Sequence, residues 1–134
     1  MKVVDANVIA YLLIKGKYSE RAKSLLKEDP EWAAPLLWRN EFRNVLTTYV
    51  RNEYFNLSQA LFLMNKAEEL MRDGEYQVQS KDVLELAEES GRSAFDCEYV
   101  ALAKDFGVKL ITTDKQLIKA FPNITVSLSE IALS

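Results

Sequence analysis

Four acidic residues lie where the secondary-structure elements of this sequence are predicted to begin or end. Asp5 follows a short apolar strand, Glu41 lies in a helix beside its apolar face, Asp96 opens a nearly all-apolar helix, and Asp114 follows a strand ending in two threonines. Carboxylates at strand ends and helix starts can converge into one acidic pocket, because parallel strands end at the same edge of a sheet. Such a pocket would bind a hard divalent cation, so metal-dependent cleavage of nucleic acid is the first hypothesis.

The chain contains no histidine and a single cysteine, Cys97. The lack of histidine excludes Ser-His-Asp and Cys-His catalysis, as well as zinc or iron bound through imidazole. One cysteine can form neither an intrachain disulfide nor a cysteine-based metal cluster. Any metal must therefore be held by oxygen atoms, which favours Mg2+ or Mn2+ as the cofactor.

Length and charge narrow the classes of protein further. The chain has 134 residues, 49% of them hydrophobic, which predicts one compact domain over residues 1–134. Its 20 acidic and 17 basic residues give a net charge of -3. Proteins that bind nucleic acid mainly through their overall positive charge are strongly basic. Any contact with nucleic acid must therefore come from a local basic patch or through a bound metal.

Hydrophobic segments give an expectation about location. No apolar run reaches the roughly 18 residues that a transmembrane helix needs. The first predicted strand reaches Asp5 without a preceding signal peptide. We therefore expect a cytoplasmic protein with no membrane partner.

Hydrophobic periodicity predicts alternating strands and helices. The predicted strands cover residues 3–4, 32–34, 76–78, 108–112 and 124–128. The predicted helices cover residues 7–14, 19–28, 35–52, 58–72, 80–89, 94–106 and 115–121. This alternation indicates an α/β fold with a mainly parallel sheet of four to five strands, covered by helices on both faces.

Three details of these elements are specific enough to be checked. Pro35 is expected at the start of the third helix, a position that proline favours. Leu61 is expected on the buried face of the fourth helix. The helix that begins at Ala94 is apolar nearly all round, which predicts that Phe95 is buried with its neighbours.

Three of the four acids also have an ordinary explanation as helix caps. Asp5 and Asp114 each stand immediately before a predicted helix, where aspartate is favoured. Ser93 and Asp96 have the spacing of a capping box, with Asp in place of the usual Glu or Gln. Capping and metal binding are compatible, since a carboxylate in a first helical turn also benefits from the helix dipole.

Glu41 has no such explanation. Helical geometry places it about 40° from Val45 and about 60° from Trp38, at the edge of the buried stripe. A carboxylate there is costly unless it is paired or binds a metal. The alternative is an ion pair, for which Arg39 and Arg43 are the nearest candidates. Both of these point to other faces of the helix.

Four segments of the chain resemble the PIN-domain nucleases. They are VVDAN at 3–7, WRNEFRNVL at 38–46, AFDCEYVALA at 94–103 and LITTD at 110–114. The last two are the most specific, because a helix, a glycine turn and a strand ending in Thr-Thr-Asp follow one another at the family's spacing. The compact length is most similar to the VapC-type toxins of prokaryotic toxin–antitoxin pairs.

The resemblance implies a three-layer α/β/α domain and a site that binds Mg2+ or Mn2+ and hydrolyses RNA. On this basis Asp5, Glu41, Asp96 and Asp114 are the catalytic and metal-binding residues. The resemblance adds Asn7, where the family often has Thr or Ser, and the two hydroxyl residues Thr112 and Thr113 as residues that bind substrate or support the acids. It also implies a cognate antitoxin and a homodimer as partners.

Basic residues near the predicted acids are candidates for contacts with RNA phosphates. Arg43 and Arg92 are the two that we select, although solvated surface charge is the alternative for each. Two other functions remain open from the sequence: a PIN nuclease that processes RNA outside a toxin system, and a PIN module that binds nucleic acid without cutting it.

Overall fold

The computed structural model describes residues 1–134, and its strands and helices follow one another in the order that the sequence predicts. The strands are β1 (Lys2–Val4), β2 (Trp32–Pro35), β3 (Glu75–Tyr76), β4 (Leu110–Thr112) and β5 (Thr125–Ser127). The helices are α1 (Ala6–Leu13), α2 (Ser19–Glu28), α3 (Trp38–Arg51), α4 (Leu57–Met71), α5 (Ser80–Ser90), α6 (Ala94–Phe106) and α7 (Lys115–Ala120). A single 3-10 turn, Leu128–Glu130, follows β5.

All five strands are parallel, in the spatial order β3-β2-β1-β4-β5. The chain moves from β1 outwards to β3 and then crosses to β4 on the other side of β1. Val4 consequently lies beside Ile111, and the two strands end together. The strand order reverses between β1 and β4, which is where open α/β sheets form their ligand crevice.

Two groups of helices cover the sheet. Helices α1, α2, α3 and α4 pack on one another, with α1 and α4 also contacting the sheet. Helix α6 packs on β1, β2 and β4, and α5 packs on α6. The predicted three-layer α/β/α arrangement with a parallel sheet is confirmed. None of the helices is long and apolar enough to cross a membrane.

The expectation for Pro35 is wrong. Pro35 is the last residue of β2, opposite Tyr76, and α3 begins three residues later at Trp38. Proline is tolerated because Ala34 and Leu36 donate the backbone hydrogen bonds to the β3 side. The missing N–H of Pro35 faces the opposite side, beyond the point where the β1–β2 pairing ends.

Two side chains expected in the core are instead exposed. Leu61 on α4 is 56% exposed and Phe95 in the first turn of α6 is 61% exposed. The middle of α6 is buried as predicted, from Cys97 to Ala103 with only Glu98 partly exposed, whereas both ends of the helix are exposed, including Phe106 at 41%. Periodicity identifies which residues share a helix face, but it does not show how far the neighbouring layer extends along that face.

Candidate active site

Asp5 combines a structural contact with a position at the sheet edge. It follows β1 and caps α1, where its Oδ1 accepts a hydrogen bond from the backbone N–H of Val8 at 3.1 Å. Its Oδ2 accepts a bond of 2.5 Å from the hydroxyl of Thr112. Burial raises the pKa of Asp5 to about 6; the Thr112 and Val8 bonds oppose this rise, and the charge of Glu41 adds to it.

Asp114 is the matching residue at the end of β4. Its Oδ1 caps α7 by accepting from the backbone N–H groups of Gln116 and Leu117, at 2.9 and 3.2 Å. The other oxygen, Oδ2, takes no part in the cap. The backbone N–H of Asp114 donates to Thr112 Oγ1 at 3.1 Å. The fully buried Thr112 therefore joins Asp5 and Asp114 across the two neighbouring strand ends.

Glu41 has no cationic partner. Its Oε1 accepts a hydrogen bond of 2.5 Å from the hydroxyl of Tyr99 on α6. Burial is the main cause that raises the pKa of Glu41; the Tyr99 bond lowers it, and the nearby charge of Asp96 raises it further. The alternative of an ion pair within α3 is wrong, since Arg39 pairs with Glu68 and Glu75 and Arg43 donates to Asn40.

Asp96 lies in the first turn of α6 with its carboxylate free of capping. Ser93 Oγ accepts from the backbone N–H of Asp96 at 3.0 Å, which forms one half of the predicted capping box. The Asp96 side chain does not complete the other half and contacts Arg92 Nη2 at 3.2 Å. Arg92 also donates to Gln116 at 2.7 Å, so it connects the starts of α6 and α7.

These four carboxylates line one cleft of about 260 Å³. Asn7 lies in the same cleft, as the sequence predicts, together with Asn44 and Tyr99, which are not among the site residues predicted from the sequence. Asn44 follows Glu41 by three residues on α3, and Tyr99 follows Asp96 by three on α6. Helical spacing from each acid is the signal that identifies them.

The remaining predicted site residues divide into two groups. Thr112 and Arg92 contact the acids directly, as described above. Thr113 turns away and pairs its hydroxyl with that of Tyr11 at 3.3 Å. Arg43 donates to Asn40 and borders the groove between α3 and α4, so the structure does not bring it to the acidic cleft.

The chemistry of the cleft fits a hard divalent cation. All of its charged ligand atoms are carboxylate oxygens, and the only cationic contact to any of the four acids is that of Arg92 with Asp96. No three acidic or thiol side chains are gathered closely enough to hold an ion alone. Mg2+ does not need such a cage, because it keeps several waters and is commonly bound through one or two carboxylates.

Comparisons with known proteins show what this chain is similar to in sequence. Residues 2–121 match the PIN domain family. The chain is 33% identical over 129 residues to Ribonuclease VapC3 of Pyrobaculum aerophilum, covering 90% of this chain and 94% of that protein.

Solved structures share the fold at lower sequence identity. A crystal structure of a Pyrobaculum aerophilum protein has a TM-score of 0.76 at 20% identity, covering 96% of this chain and 90% of that one. A toxin-antitoxin complex from Klebsiella pneumoniae contains a chain with a TM-score of 0.67 at 18% identity, covering 96% of this chain and 98% of that one.

Proposed function

This chain belongs to the PIN-domain family, and we propose that it is a divalent-metal-dependent endoribonuclease, the toxin of a type II toxin–antitoxin pair. One observation carries the proposal: four carboxylates from four separate segments line a single cleft at the switch point of the sheet. The ribonuclease name of the relative that is 33% identical supports RNA as the substrate.

Asp5, Asp96 and Asp114 are the residues proposed to hold Mg2+ or Mn2+, directly or through water. When bound, the ion supplies Lewis-acid activation of water and stabilises charge on the phosphate. Asp5 and Asp114 are held in place by Thr112, and the free Oδ2 of Asp114 is available to the cleft. Since Mg2+ is bound through few protein ligands, these residues are sufficient.

Glu41 completes the site as a further ligand or as the group that orients the attacking water. Its Oε1 is held by Tyr99, which leaves Oε2 to accept a hydrogen bond from that water. Arg92 contributes positive charge beside Asp96, where it can also contact a substrate phosphate. Asn7, which lines the same cleft two residues after Asp5, provides a neutral donor and acceptor.

The proposal is tested by comparing two substitutions on the same helix. Asp96→Asn removes a charge from the cleft but keeps the backbone N–H that Ser93 caps, so the fold is expected to persist. We expect Asp96→Asn to cleave an unstructured RNA in Mg2+ or Mn2+ about a hundredfold or more slowly than the wild type. Asp105→Asn, at an exposed residue of α6, is the control and should cleave normally.

Expression in a bacterial host tests the toxin role. The wild type should arrest growth and Asp96→Asn should not. Equal rates of RNA cleavage by the wild type and Asp96→Asn would overturn the assignment of the site. Cleavage without growth arrest would separate the nuclease from the toxin role.

We further propose two protein partners: a cognate antitoxin and a second copy of the chain. The toxin-antitoxin complex from Klebsiella pneumoniae, whose fold this chain shares, supports the first. An exposed apolar surface on α4, formed by Leu57, Leu61 and Phe62, supports a protein contact on this side of the domain. These residues are between 56% and 67% exposed, which is unusual for a cluster of large apolar side chains.

A further inference from the structure

A second pocket, of about 410 Å³, lies between the end of β3 and helices α5 and α6. Its walls are mainly apolar and include Leu36, Tyr76, Val83 and Leu84. Leu36 and Leu84 are 44% and 64% exposed, so the apolar surface is open to solvent. The volume and the mainly apolar walls are within the range of pockets that bind small organic groups.

Helix α6 forms a wall shared by this pocket and the acidic cleft. Asp96 and Tyr99 line the cleft, whereas Ala94 and Glu98 line the pocket. Asp96 and Glu98 are about 3 Å apart along the helix axis but about 160° apart around it, so their side chains lie on opposite sides of the start of α6. Burial, followed by the charge of Glu41, raises the pKa of Glu98, so the carboxylate of Glu98 in the pocket lies within electrostatic reach of the carboxylate of Glu41 in the cleft. A polymer strand that leaves the cleft on the side of Glu41 and Glu98 would pass the mouth of the pocket.

The polar groups of the pocket have no partners within the protein. Glu98 forms no ion pair and accepts no hydrogen bond. Gln77 and Ser80 also line the pocket, with side chains exposed to solvent. Apolar walls around a few unpaired polar groups are how proteins bind single-stranded bases, whose faces stack and whose edges form hydrogen bonds.

The carboxylate of Glu98 distinguishes among the four bases. Guanine presents two adjacent N–H donors, on N1 and on the 2-amino group, which match the two oxygens of one carboxylate. Adenine and cytosine present one amino group beside a ring acceptor that would repel a carboxylate. Uracil presents one N–H between two carbonyl oxygens. A carboxylate that accepts two parallel hydrogen bonds is therefore selective for guanine.

We propose that this pocket binds one unpaired guanine of the RNA strand whose phosphodiester lies in the acidic cleft, with Glu98 reading its N1–H and 2-amino group. The proposal rests on the proposed ribonuclease function. It assigns to Glu98 a role in specificity that is separate from the role of the four acids in cleavage.

The test maps cleavage sites on an unstructured RNA pool in Mn2+ for three proteins: the wild type, Glu98→Gln and Asp105→Asn. The wild type and Asp105→Asn should prefer guanine about tenfold or more at one position near the cleaved bond, as expected for a bidentate base contact. Glu98→Gln should lose most of this preference, because its amide group replaces one acceptor with a donor. Replacing that guanine by inosine, which lacks the 2-amino group, should slow the wild type but not Glu98→Gln.

A second variant tests the pocket itself. Ala94→Trp places an indole over the pocket from an exposed position and should remove the same preference. Cleavage by the wild type without guanine preference, or a preference that persists in both variants, would overturn the proposal while leaving the nuclease function intact. An unchanged preference is also the result expected if the pocket receives a protein side chain. A wild type that cleaves no RNA would instead overturn the proposed function, and the guanine site with it.

Discussion

Two hydroxyl groups hold the carboxylates of the cleft in position. Thr112 donates to Asp5 and accepts from the backbone of Asp114, while Tyr99 donates to Glu41. Burial raises the pKa of both Asp5 and Glu41, and these hydrogen bonds oppose the rise. Both hydroxyl residues therefore favour the ionised carboxylates that a cation requires.

Tyr99→Phe tests this effect of a positioning residue on Glu41. Loss of the donor is expected to raise the pKa of Glu41, so that its carboxylate is protonated at a higher pH than in the wild type. The acidic limb of the pH–rate profile for RNA cleavage should then shift upwards. We expect activity to be lost on the acidic side of the profile, by up to about tenfold for each pKa unit of the shift, and to recover at alkaline pH.

Tyr11→Phe is the matched control for this profile. Its hydroxyl contacts Thr113 and none of the four acids, so its pH–rate profile should follow that of the wild type. A uniform loss of activity across all pH values in Tyr99→Phe would show that the hydroxyl does not act through the charge of Glu41.

At the residue scale, the sequence predicts the four acids better than it predicts the residues that hydrogen-bond to them. The caps formed by Asp5 and Asp114 follow from local spacing, and both are present. From the sequence, Tyr99 is predicted to be a core residue, because its apolar ring fits a buried helix. Its hydroxyl bond to Glu41 spans 58 residues of sequence, and no local pattern contains such a contact.

At the scale of elements, α3 is anchored by polar contacts at its first turn. Arg39 donates to Glu75 on β3 through Nε and Nη2, at 2.6 and 2.9 Å, and to Glu68 on α4 at 2.5 Å. Trp38 donates to the same Glu75 at 2.8 Å. Arg39 is thus paired with Glu68 and Glu75 and is not a partner of Glu41, which lines the cleft.

Gly74 determines how closely the turn after α4 approaches β2. Its carbonyl accepts from the backbone N–H of Ala34, which begins the pairing of β2 with β3. A Cβ added at Gly74 would lie 2.0 Å from the carbonyl oxygen of Trp32. That oxygen belongs to a buried strand and cannot move aside without displacing the sheet.

Gly74→Ala is therefore expected to lower the free energy of unfolding by about 3 kcal/mol or more, as overpacking against a fixed backbone does. Urea denaturation followed by circular dichroism measures the change. Gly16→Ala is the control, because nothing lies within 4 Å of the added Cβ and the site is exposed. Equal stabilities of the two variants would contradict the close approach at Gly74.

The order and type of the elements could be predicted because each has its own periodicity and its own start and stop signals. Asn56 with Gln59 forms a capping box at the start of α4, and Gly91 and Gly107 end α5 and α6 with positive φ. Pro35 could not be placed in a strand from the sequence, since its tolerance there depends on which neighbour β2 pairs with.

At the scale of the whole molecule, the strand order creates the site. The chain reverses its direction across the sheet at β1 and β4, so the residues following these two strands become neighbours. Helices α3 and α6 then bring Glu41 and Asp96 to the same cleft. The family resemblance and the shared edge of a parallel sheet both predict this convergence from the sequence.

The exposed apolar surface of α4 gives a prediction about the assembled protein. A double substitution, Leu61→Glu with Phe62→Glu, should convert a homodimer into a monomer, as measured by size-exclusion chromatography with light scattering. Both side chains are more than half exposed, so the fold should tolerate the charges. Leu84→Glu, at an equally exposed residue of α5, is the control and should remain dimeric. A monomeric wild type would contradict the proposed homodimer.

The most direct test of the central claim is the binding of Mn2+ measured by isothermal titration calorimetry. If the four acids form one cation site, the wild type and Asp105→Asn should show the same saturable binding. Asp5→Asn and Asp96→Asn should each weaken it by about tenfold or more, because each removes a negatively charged oxygen ligand. Absence of saturable binding in the wild type, or unchanged affinity in both cleft variants, would contradict the claim.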